Sequence, residues 1–296
     1  MIDNEEIEDM LREIRKNEKD AGKRISLADL APQGQKSVSL YERKKREMAN
    51  RRGRTDGRKD DDHRPMFIQL GTVSDARGSC YVEIGDTKVV VSIRGPKEIP
   101  NLKEYTEMCE IECLIEYAPF ANSPTTNEGY MCHAVRQALE PAICRHEFPN
   151  FQIAVSAFVI EDRGSVLSAI INGASLALTH ARLPCFGIVS SVIAAVCDDR
   201  ILMDPEYEEE AYCQAAGKAD SCGLVTLSYM PDMEQITFYE QNGYLAEPLK
   251  MVEPLVKKCQ EIHKICIQHA LKEAKSSVNV LAATQDATNS VKSLKV

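Results

Sequence analysis

No stretch of the chain holds about 18 consecutive apolar residues, so we expect no segment that crosses a membrane. The first residues are charged and lack the apolar centre of a signal peptide, so we do not expect secretion. No Cys-x-x-Cys pair occurs, and an odd count of 11 cysteines fits a disulfide framework poorly. We therefore expect reduced, mostly buried thiols and a protein of the cytosol or nucleus.

The sequence also lacks a Walker loop, a dinucleotide-binding fingerprint and a Ser-His-Asp order. Four side chains of metal-binding type share one predicted helix: Cys259, His263, Cys266 and His269. The helix between the first and the last of them spans about 15 Å, so a single zinc ion cannot bind all four. We interpret these residues as core packing and predict neither a metal site nor a cofactor.

Charge is distributed unevenly along the 296 residues, of which 44% are hydrophobic. Residues 1–64 hold 17 basic and 15 acidic side chains, whereas residues 65–296 hold 19 basic and 30 acidic ones. An acidic body argues against a broad nucleic-acid-binding surface, but it permits RNA contacts from a few basic loops.

Residues 1–63 are predicted to form a charged, flexible extension. Ile7, Leu11 and Ile14 provide one thin apolar stripe, which supports a short helix at most. Residues 43–59 carry nine basic and two acidic side chains. This run is compatible with a disordered arm, a nuclear-import signal or an RNA-contacting arm.

Residues 64–275 are predicted to form one α+β domain of mixed sheets with packed helices, followed by a tail of weak pattern, residues 276–296. Runs rich in β-branched residues predict strands at residues 67–74, 78–85, 87–95, 109–117, 151–160, 185–197, 200–203, 223–230 and 235–239. Gly85-Asp86 supplies the turn of a hairpin. Helical spacing of apolar residues predicts helices at residues 126–145, 165–181 and 248–274.

The stretch EDRGSVLSAIINGASLAL, residues 161–178, has the form of an anion-binding site. A polar Gly-Ser turn opens an apolar helix, and the free backbone N–H groups of such a helix end attract phosphate. The first helical turn, residues 165–167, nevertheless brings no positive side chain.

The segment RPMFIQLGTVSDARGSCYVEIGDTKVVVSIRGPKE, residues 64–98, resembles the opening signature of the RNase PH family. Further matches follow in order: YAPFA at 117–121, ALEP at 138–141, FP at 148–149, GASLAL at 173–178 and ILMDP at 201–205. The resemblance implies a βαβα-type sandwich and assembly into six-subunit rings. Within the family the chain is most similar to the MTR (mRNA-transport-regulator) type of RNA exosome ring subunit. The EDxGSxL entry to the second helix and the LxDP before an acidic run, residues 206–210, carry that similarity.

The resemblance also implies that the phosphate site has lost its cations. Active members place a paired arginine ahead of the first helix and another arginine at the start of the second, and the matching residues here are Thr126, Asn127 and Leu167. Phosphate and RNA are both anions, so losing three cations should abolish phosphorolysis. Arg163 precedes the glycine outside the helix mouth and replaces none of them.

Asp204 and Glu210 match two carboxylates, six residues apart, that active relatives use for metal binding and proton donation. Without cations to hold phosphate, these carboxylates only repel an anionic substrate. We interpret them as part of an acidic surface loop.

The expected function is that of a non-catalytic exosome ring subunit in RNA and rRNA processing and degradation. The resemblance implies paralogous ring subunits, S1- and KH-domain cap subunits and single-stranded RNA as partners, in the nucleus, the nucleolus and the cytoplasm. Arg94, Lys97 and Lys103 match a pore-facing loop that would contact RNA phosphates. The alternatives are an active phosphate-dependent 3′→5′ exoribonuclease and a scaffold that does not touch nucleic acid.

Overall fold

The computed structural model describes Arg54 and residues 56–99, 105–121, 128–197, 200–215, 222–245 and 247–293. The short helix predicted near Ile7 and the basic residues 43–53 lie outside the described residues. The described part confirms the predicted α+β fold, which consists of two sheets and four α-helices.

The first sheet has five strands in the order β1-β2-β3-β5-β4. These are β1 (Met66–Leu70), β2 (Gly78–Ile84), β3 (Thr87–Glu98), β4 (Glu110–Tyr117) and β5 (Phe151–Glu161). The predicted hairpin is confirmed, since Ile84 pairs with Thr87 across the Gly85-Asp86 turn. β4 and β5 pair in parallel, and the other neighbours pair antiparallel. Alternate residues of β2 and β3 are buried, which gives the sheet one core-facing side.

The second sheet is antiparallel, with the order β7-β6-β8-β9. It comprises β6 (Ser190–Cys197), β7 (Arg200–Met203), β8 (Cys222–Met230) and β9 (Gln235–Gly243). Every residue of β6 except the last is buried, so this strand is covered on both faces. The strand predicted over residues 185–197 begins only at Ser190, five residues later than predicted.

The four helices are α1 (Glu128–Leu139), α2 (Val166–His180), α3 (Tyr207–Ala215) and α4 (Leu249–Ser293). α2 contacts β2 and β3 of the first sheet and β6 of the second, so it lies between the sheets. All of its residues from Val166 to Leu178 are buried, in agreement with its apolar sequence. None of the described helices is both long and apolar enough to cross a membrane.

The helix predicted at residues 248–274 is longer than predicted, because α4 continues through the weakly patterned tail to Ser293. Residues 276–293 contain neither glycine nor proline, so nothing in the chain breaks a helix that has already formed. α3 was also missed, since its acidic sequence has no apolar stripe. Acidic side chains in the first turn of α3 are favoured by the positive end of the helix dipole.

The boundary predicted between residues 63 and 64 falls inside a packed segment, which we term the N-terminal clasp (Arg54 and residues 56–64). Arg54 is 7% exposed and makes two hydrogen bonds to the Glu209 carboxylate, at 2.8 and 3.2 Å. Its guanidinium also donates to the Met203 carbonyl oxygen at 2.7 Å, and the Asp60 carbonyl accepts the Met203 N–H at 2.8 Å. The folded domain therefore includes residues before Arg64. Because Glu209 is buried, it requires the charge that Arg54 supplies.

Candidate functional site

The turn that leads into α2 is pressed against the segment that follows β7. Gly164 has a φ of +98°, and a Cβ atom there would lie 2.5 Å from the Pro205 carbonyl oxygen, so the turn requires glycine. The Gly164 N–H donates to the Asp162 carboxylate at 3.0 Å. The Ser165 hydroxyl donates to the Pro205 carbonyl oxygen at 3.2 Å. These contacts hold the Gly-Ser turn against the Asp-Pro segment that follows β7.

The helix mouth that has the form of a phosphate site already holds a carboxyl group of the chain itself. The Ser165 N–H donates to Glu210 Oε1 at 2.7 Å. Burial raises the pKa of Glu210 to about 8, and the charges of Asp162 and Asp204 act in the same direction. An acidic side chain thus contacts the backbone at which a phosphate would bind.

Asp204 is buried, with 1% exposure, and its carboxylate binds Arg64. The guanidinium donates to Oδ1 at 2.7 Å and to Oδ2 at 2.8 Å, and the Arg64 backbone N–H donates to Oδ2 at 2.9 Å. Burial by itself would raise the pKa of Asp204. The hydrogen bond and charge of Arg64, together with His63, instead hold that pKa far below its usual value.

The interpretation of Asp204 and Glu210 as part of an acidic surface loop was therefore wrong. Asp204 is buried beside β7, Glu209 and Glu210 belong to α3, and Glu209 is buried as well. Their partners lie far away in sequence, since Arg64 is 140 residues from Asp204 and Arg54 is 155 residues from Glu209. The sequence signal was the arginines of RTDGRKDDDHR, of which Arg54 and Arg58 belong to the extension predicted to be flexible and Arg64 opens the predicted domain.

A cleft of about 360 Å³ opens beside the N-terminal end of α2. Three carboxylic side chains line it: Asp162, Glu210 and Glu240. The remaining lining is mostly aromatic or apolar, from Tyr117, Tyr130, Met131, Val166, Leu167, Ile193, Tyr207, Ala211 and Leu224, with Gln214, Thr226 and Asn242. Within the described residues this cleft contains no lysine or arginine, so its described lining favours cations over anions.

The structure describes only some of the residues that match the phosphate site of active family members. Leu167 lines the cleft and is mostly buried, in agreement with a helix mouth without a cation there. Thr126 and Asn127 lie outside the described residues. Arg163 is exposed, and its Nε donates to the Glu161 carboxylate at 3.3 Å.

Two of the three predicted RNA-contacting residues belong to a strand rather than to a loop. Arg94 and Lys97 are exposed near the end of β3, where the pairing with β5 is interrupted by a bulge between them. The Arg94 guanidinium lies 3.9 Å from the exposed Asp75 carboxylate. Lys103 lies outside the described residues. The bulge turns this end of β3 while the two strands still hold it.

Cys259, His263 and Cys266 of α4 take part in core packing, whereas His269 is partly exposed. Cys259 and Cys266 are fully buried, and His263 is buried with its Nε2 atom 3.6 Å from Asp232. All 11 cysteines are free thiols, as predicted. Within the described part of the chain, no group of three or more His, Cys, Asp or Glu side chains could hold a metal ion.

Comparisons with known proteins match this chain to RNA-degrading enzymes and to exosome subunits. Residues 62–184 match the family model for domain 1 of the 3′ exoribonuclease (RNase PH) family. An RRP41-like exosome complex component of Arabidopsis thaliana is 32% identical over 226 residues, which cover 73% of this chain and 85% of that protein. The exosome complex component Rrp41 of Thermococcus kodakarensis is also 32% identical, over 71% of this chain and 85% of that protein.

Solved structures show the same fold. The crystal structure of rice (Oryza sativa) Rrp46 aligns with a TM-score of 0.65 at 21% identity, over 74% of this chain and 100% of that chain. A chain of the Archaeoglobus fulgidus exosome with RNA bound to the active site aligns with a TM-score of 0.64 at 20% identity. That alignment covers 76% of this chain and 98% of the other.

Proposed function

Because the chain belongs to the RNase PH family of 3′ exoribonucleases, we propose that it is a non-catalytic ring subunit of an RNA exosome. The observation that carries the proposal is the carboxyl group of Glu210 on the Ser165 N–H, at the helix end where phosphate would bind. Phosphorolysis brings two anions together and needs cations or amide donors to do so. The described lining of the cleft supplies three carboxylic side chains instead.

Asp204 is unsuited to metal binding or proton donation in the described geometry. Both of its oxygens are hydrogen bonded to Arg64, and its pKa lies far below the usual value. A general acid must carry a proton at the working pH, which this group does not. Its described contacts instead serve to attach the N-terminal clasp to the segment after β7.

The partners proposed for this subunit are those of an exosome core. The Arabidopsis and Thermococcus relatives are exosome components, which supports assembly with paralogous RNase PH-like ring subunits. S1- and KH-domain cap proteins and single-stranded RNA complete the proposed set. Within the ring the EDxGSxL and LxDP patterns favour the MTR type of subunit, and the site of action is the nucleus and nucleolus, with a cytoplasmic pool.

The proposed role in RNA handling is to guide the strand through the ring channel. Arg94 and Lys97 are exposed at the bulged end of β3, where two cations can attract phosphates without reading bases. Lys103 belongs to the same proposal. RNA processing, including rRNA processing, would then be completed by a nuclease elsewhere in the assembly.

The competing proposal is an active phosphate-dependent 3′→5′ exoribonuclease. It is favoured by the intact family fold and by the presence of Asp204 and Glu210 at the two carboxylate positions. The absence of lysine and arginine side chains from the described lining of the cleft opposes it.

An RNA-degradation assay separates these proposals. The purified chain is incubated with single-stranded RNA, magnesium and inorganic phosphate, beside an active family member, and nucleoside diphosphates are measured. We expect none from this chain. Phosphate-dependent release that is lost in a folded Glu210→Gln variant, but kept in the surface variant Glu116→Gln, would establish the active enzyme instead.

A further inference from the structure

The three carboxylic side chains of the cleft have no cationic partner in the described part of the chain. Asp162 is 8% exposed and accepts one hydrogen bond, from the Gly164 N–H. Glu210 accepts one from the Ser165 N–H. Neither of them, nor Glu240, is within 4.0 Å of a described lysine, arginine or histidine nitrogen, the limit for an ion pair.

The nearby arginines are engaged elsewhere. Arg64 influences Asp162 and Glu210 from a distance, but its guanidinium is hydrogen bonded to Asp204 and to the carbonyl oxygens of Arg163 and Gly164. Arg163 is exposed and paired with Glu161. The cleft thus holds carboxyl groups whose charged forms the folded chain does not neutralise, and burying a charge without a partner is costly.

The three groups respond as carboxyls that lack a counterion. Burial is the leading cause that raises the pKa of Asp162, of Glu210 and of Glu240. A cation entering the cleft would favour the charged form of all three at once. The cleft is therefore better suited to a positively charged ligand than to the empty state.

The residues that line the cleft favour an organic cation over a metal ion. A bare metal ion needs several oxygen ligands at short range, and the described residues offer no such group. Tyr117, Tyr130 and Tyr207 line the cleft together with Met131 and Leu224. Aromatic faces attract planar guanidinium groups, which are weakly hydrated and carry five donors for carboxylate oxygens.

We infer that this cleft binds an arginine side chain of a partner protein, with the guanidinium facing Asp162, Glu210 and Glu240 and the aliphatic stem against Met131 and the tyrosines. The volume of about 360 Å³ and the open mouth admit a side chain presented on a peptide. Arginine binding presupposes the proposed loss of phosphate binding, because the same helix mouth cannot favour an anion and a cation. The former catalytic cleft would then serve as a protein-docking site.

Methyl NMR on the full chain tests the inference, with Met131 as a reporter inside the cleft. Met131 is 4% exposed and lines the cleft, and a Met131→Leu variant identifies its signal. The probes are N-acetyl-arginine methylamide, the neutral N-acetyl-citrulline methylamide of the same shape, agmatine and inorganic phosphate. We expect the arginine probe to shift the Met131 signal and the citrulline probe to leave it in place.

Two variants make the comparison specific. Glu240→Gln should weaken binding of the arginine probe at least ten-fold, because it removes one facing carboxylate at the cleft. Glu116→Gln removes the same charge from an exposed position of β4 and should leave binding within two-fold. Equal loss in both variants would show non-specific attraction and overturn the assignment.

The remaining outcomes separate the two proposals. If neither arginine nor phosphate shifts the Met131 signal, the docking inference fails while the non-catalytic role stands. If phosphate shifts it and phosphorolysis is seen, the proposed function fails as well. If agmatine binds more tightly than N-acetyl-arginine methylamide, the ligand would be a small guanidinium compound rather than a partner protein.

Discussion

Asp204 and Glu210 are six residues apart, yet their surroundings drive their protonation in opposite directions. Arg64 holds the Asp204 carboxylate in its charged form, whereas burial raises the pKa of Glu210 to about 8. In active enzymes a carboxyl pair separated in this way divides acid and base roles. Here the Asp204 carboxylate is paired with Arg64 inside the protein, and the Glu210 carboxyl contacts the N-terminal end of α2.

Removing Arg64 should show that its contact with Asp204 supports folding. Arg64→Met leaves Asp204 buried without its main partner, and breaking a buried pair in this way costs about 3–5 kcal/mol. The matched control is Arg200→Met, which breaks the exposed pair with Asp60 and should cost less than about 1 kcal/mol. Urea unfolding at neutral pH measures both. Equal, small losses would contradict a structural role for Arg64.

Glu210 should make the protein less stable as the pH rises. Its pKa of about 8 in the fold lies above the ordinary value of 4.5, so between these values the folded state binds more protons than the unfolded state. The free energy of unfolding contributed by this group therefore falls as the pH increases from about 4.5 to 8. In Glu210→Gln we expect that fall to be smaller by at least about 1 kcal/mol.

The measurement is the urea midpoint of wild type and Glu210→Gln at pH 5.5 and pH 8.5. Glu208→Gln serves as a control on the exposed side of α3. A pH dependence that is the same in all three proteins would show that Glu210 titrates as an ordinary exposed carboxyl.

At the scale of elements, the N-terminal clasp and α3 depend on each other. α3 carries Glu209 in its first turn, and Arg54 of the clasp reaches both oxygens of that carboxylate. Arg58 lies 3.6 Å from the Asp204 carboxylate, so a second arginine of the basic run faces the body of the protein. Two of the nine cations in residues 43–59 are therefore engaged with the domain rather than available for RNA or an import receptor.

Truncation distinguishes this clasp from a free arm. A chain that begins at residue 50 keeps Arg54, whereas a chain that begins at Arg64 loses Arg54 and leaves Glu209 buried without a cation. We expect the shorter chain to be less stable by about a few kcal/mol, because an unpaired buried carboxylate is costly, and therefore to unfold at a lower temperature. Glu209→Gln in the shorter chain should restore part of the loss. Identical melting temperatures for both truncated chains would show that the folded domain begins at Arg64, as the sequence predicts.

At the scale of the whole molecule, charge separates the cleft from the exposed end of β3. The cleft is acidic, while Arg94 and Lys97 are exposed cations near the end of a strand. In the proposed ring, RNA would therefore follow the cations and avoid the cleft. A chain of net charge −9 needs such local positive positions to contact a polyanion.

Neutralising these cations should affect RNA only after assembly. The double variant Arg94→Gln with Lys97→Gln should shorten the RNA protected by the reconstituted ring, with a smaller effect at high salt because the contacts are electrostatic. Nuclease protection measures the length, and size-exclusion chromatography verifies assembly. Lys88→Gln with Lys257→Gln is the control for lost charge elsewhere. Unchanged protection in the first variant would remove Arg94 and Lys97 from the RNA path.

Local patterns in the sequence determined the regular elements and the family. Alternation in β2 and β3, the Gly-Asp turn and the uniformly apolar α2 are short-range features, since side-chain period and turn chemistry act within a few residues. The absence of a cation at Leu167 also follows from the residue itself. These predictions needed no knowledge of what lies across the fold.

Only the tertiary structure decided which charges are buried and what they contact. Acidic residues such as Asp204 and Glu209 look the same in sequence whether they are solvated or paired, and the arginines that pair with them lie 140 and 155 residues away. The same long-range contacts show that the folded domain includes Arg54. The acidic cleft beside α2 is lined by residues of β4, β6, β8, β9, α1 and α3 and by Asp162 after β5, so its charge is a property of their packing that no single stretch of the chain contains.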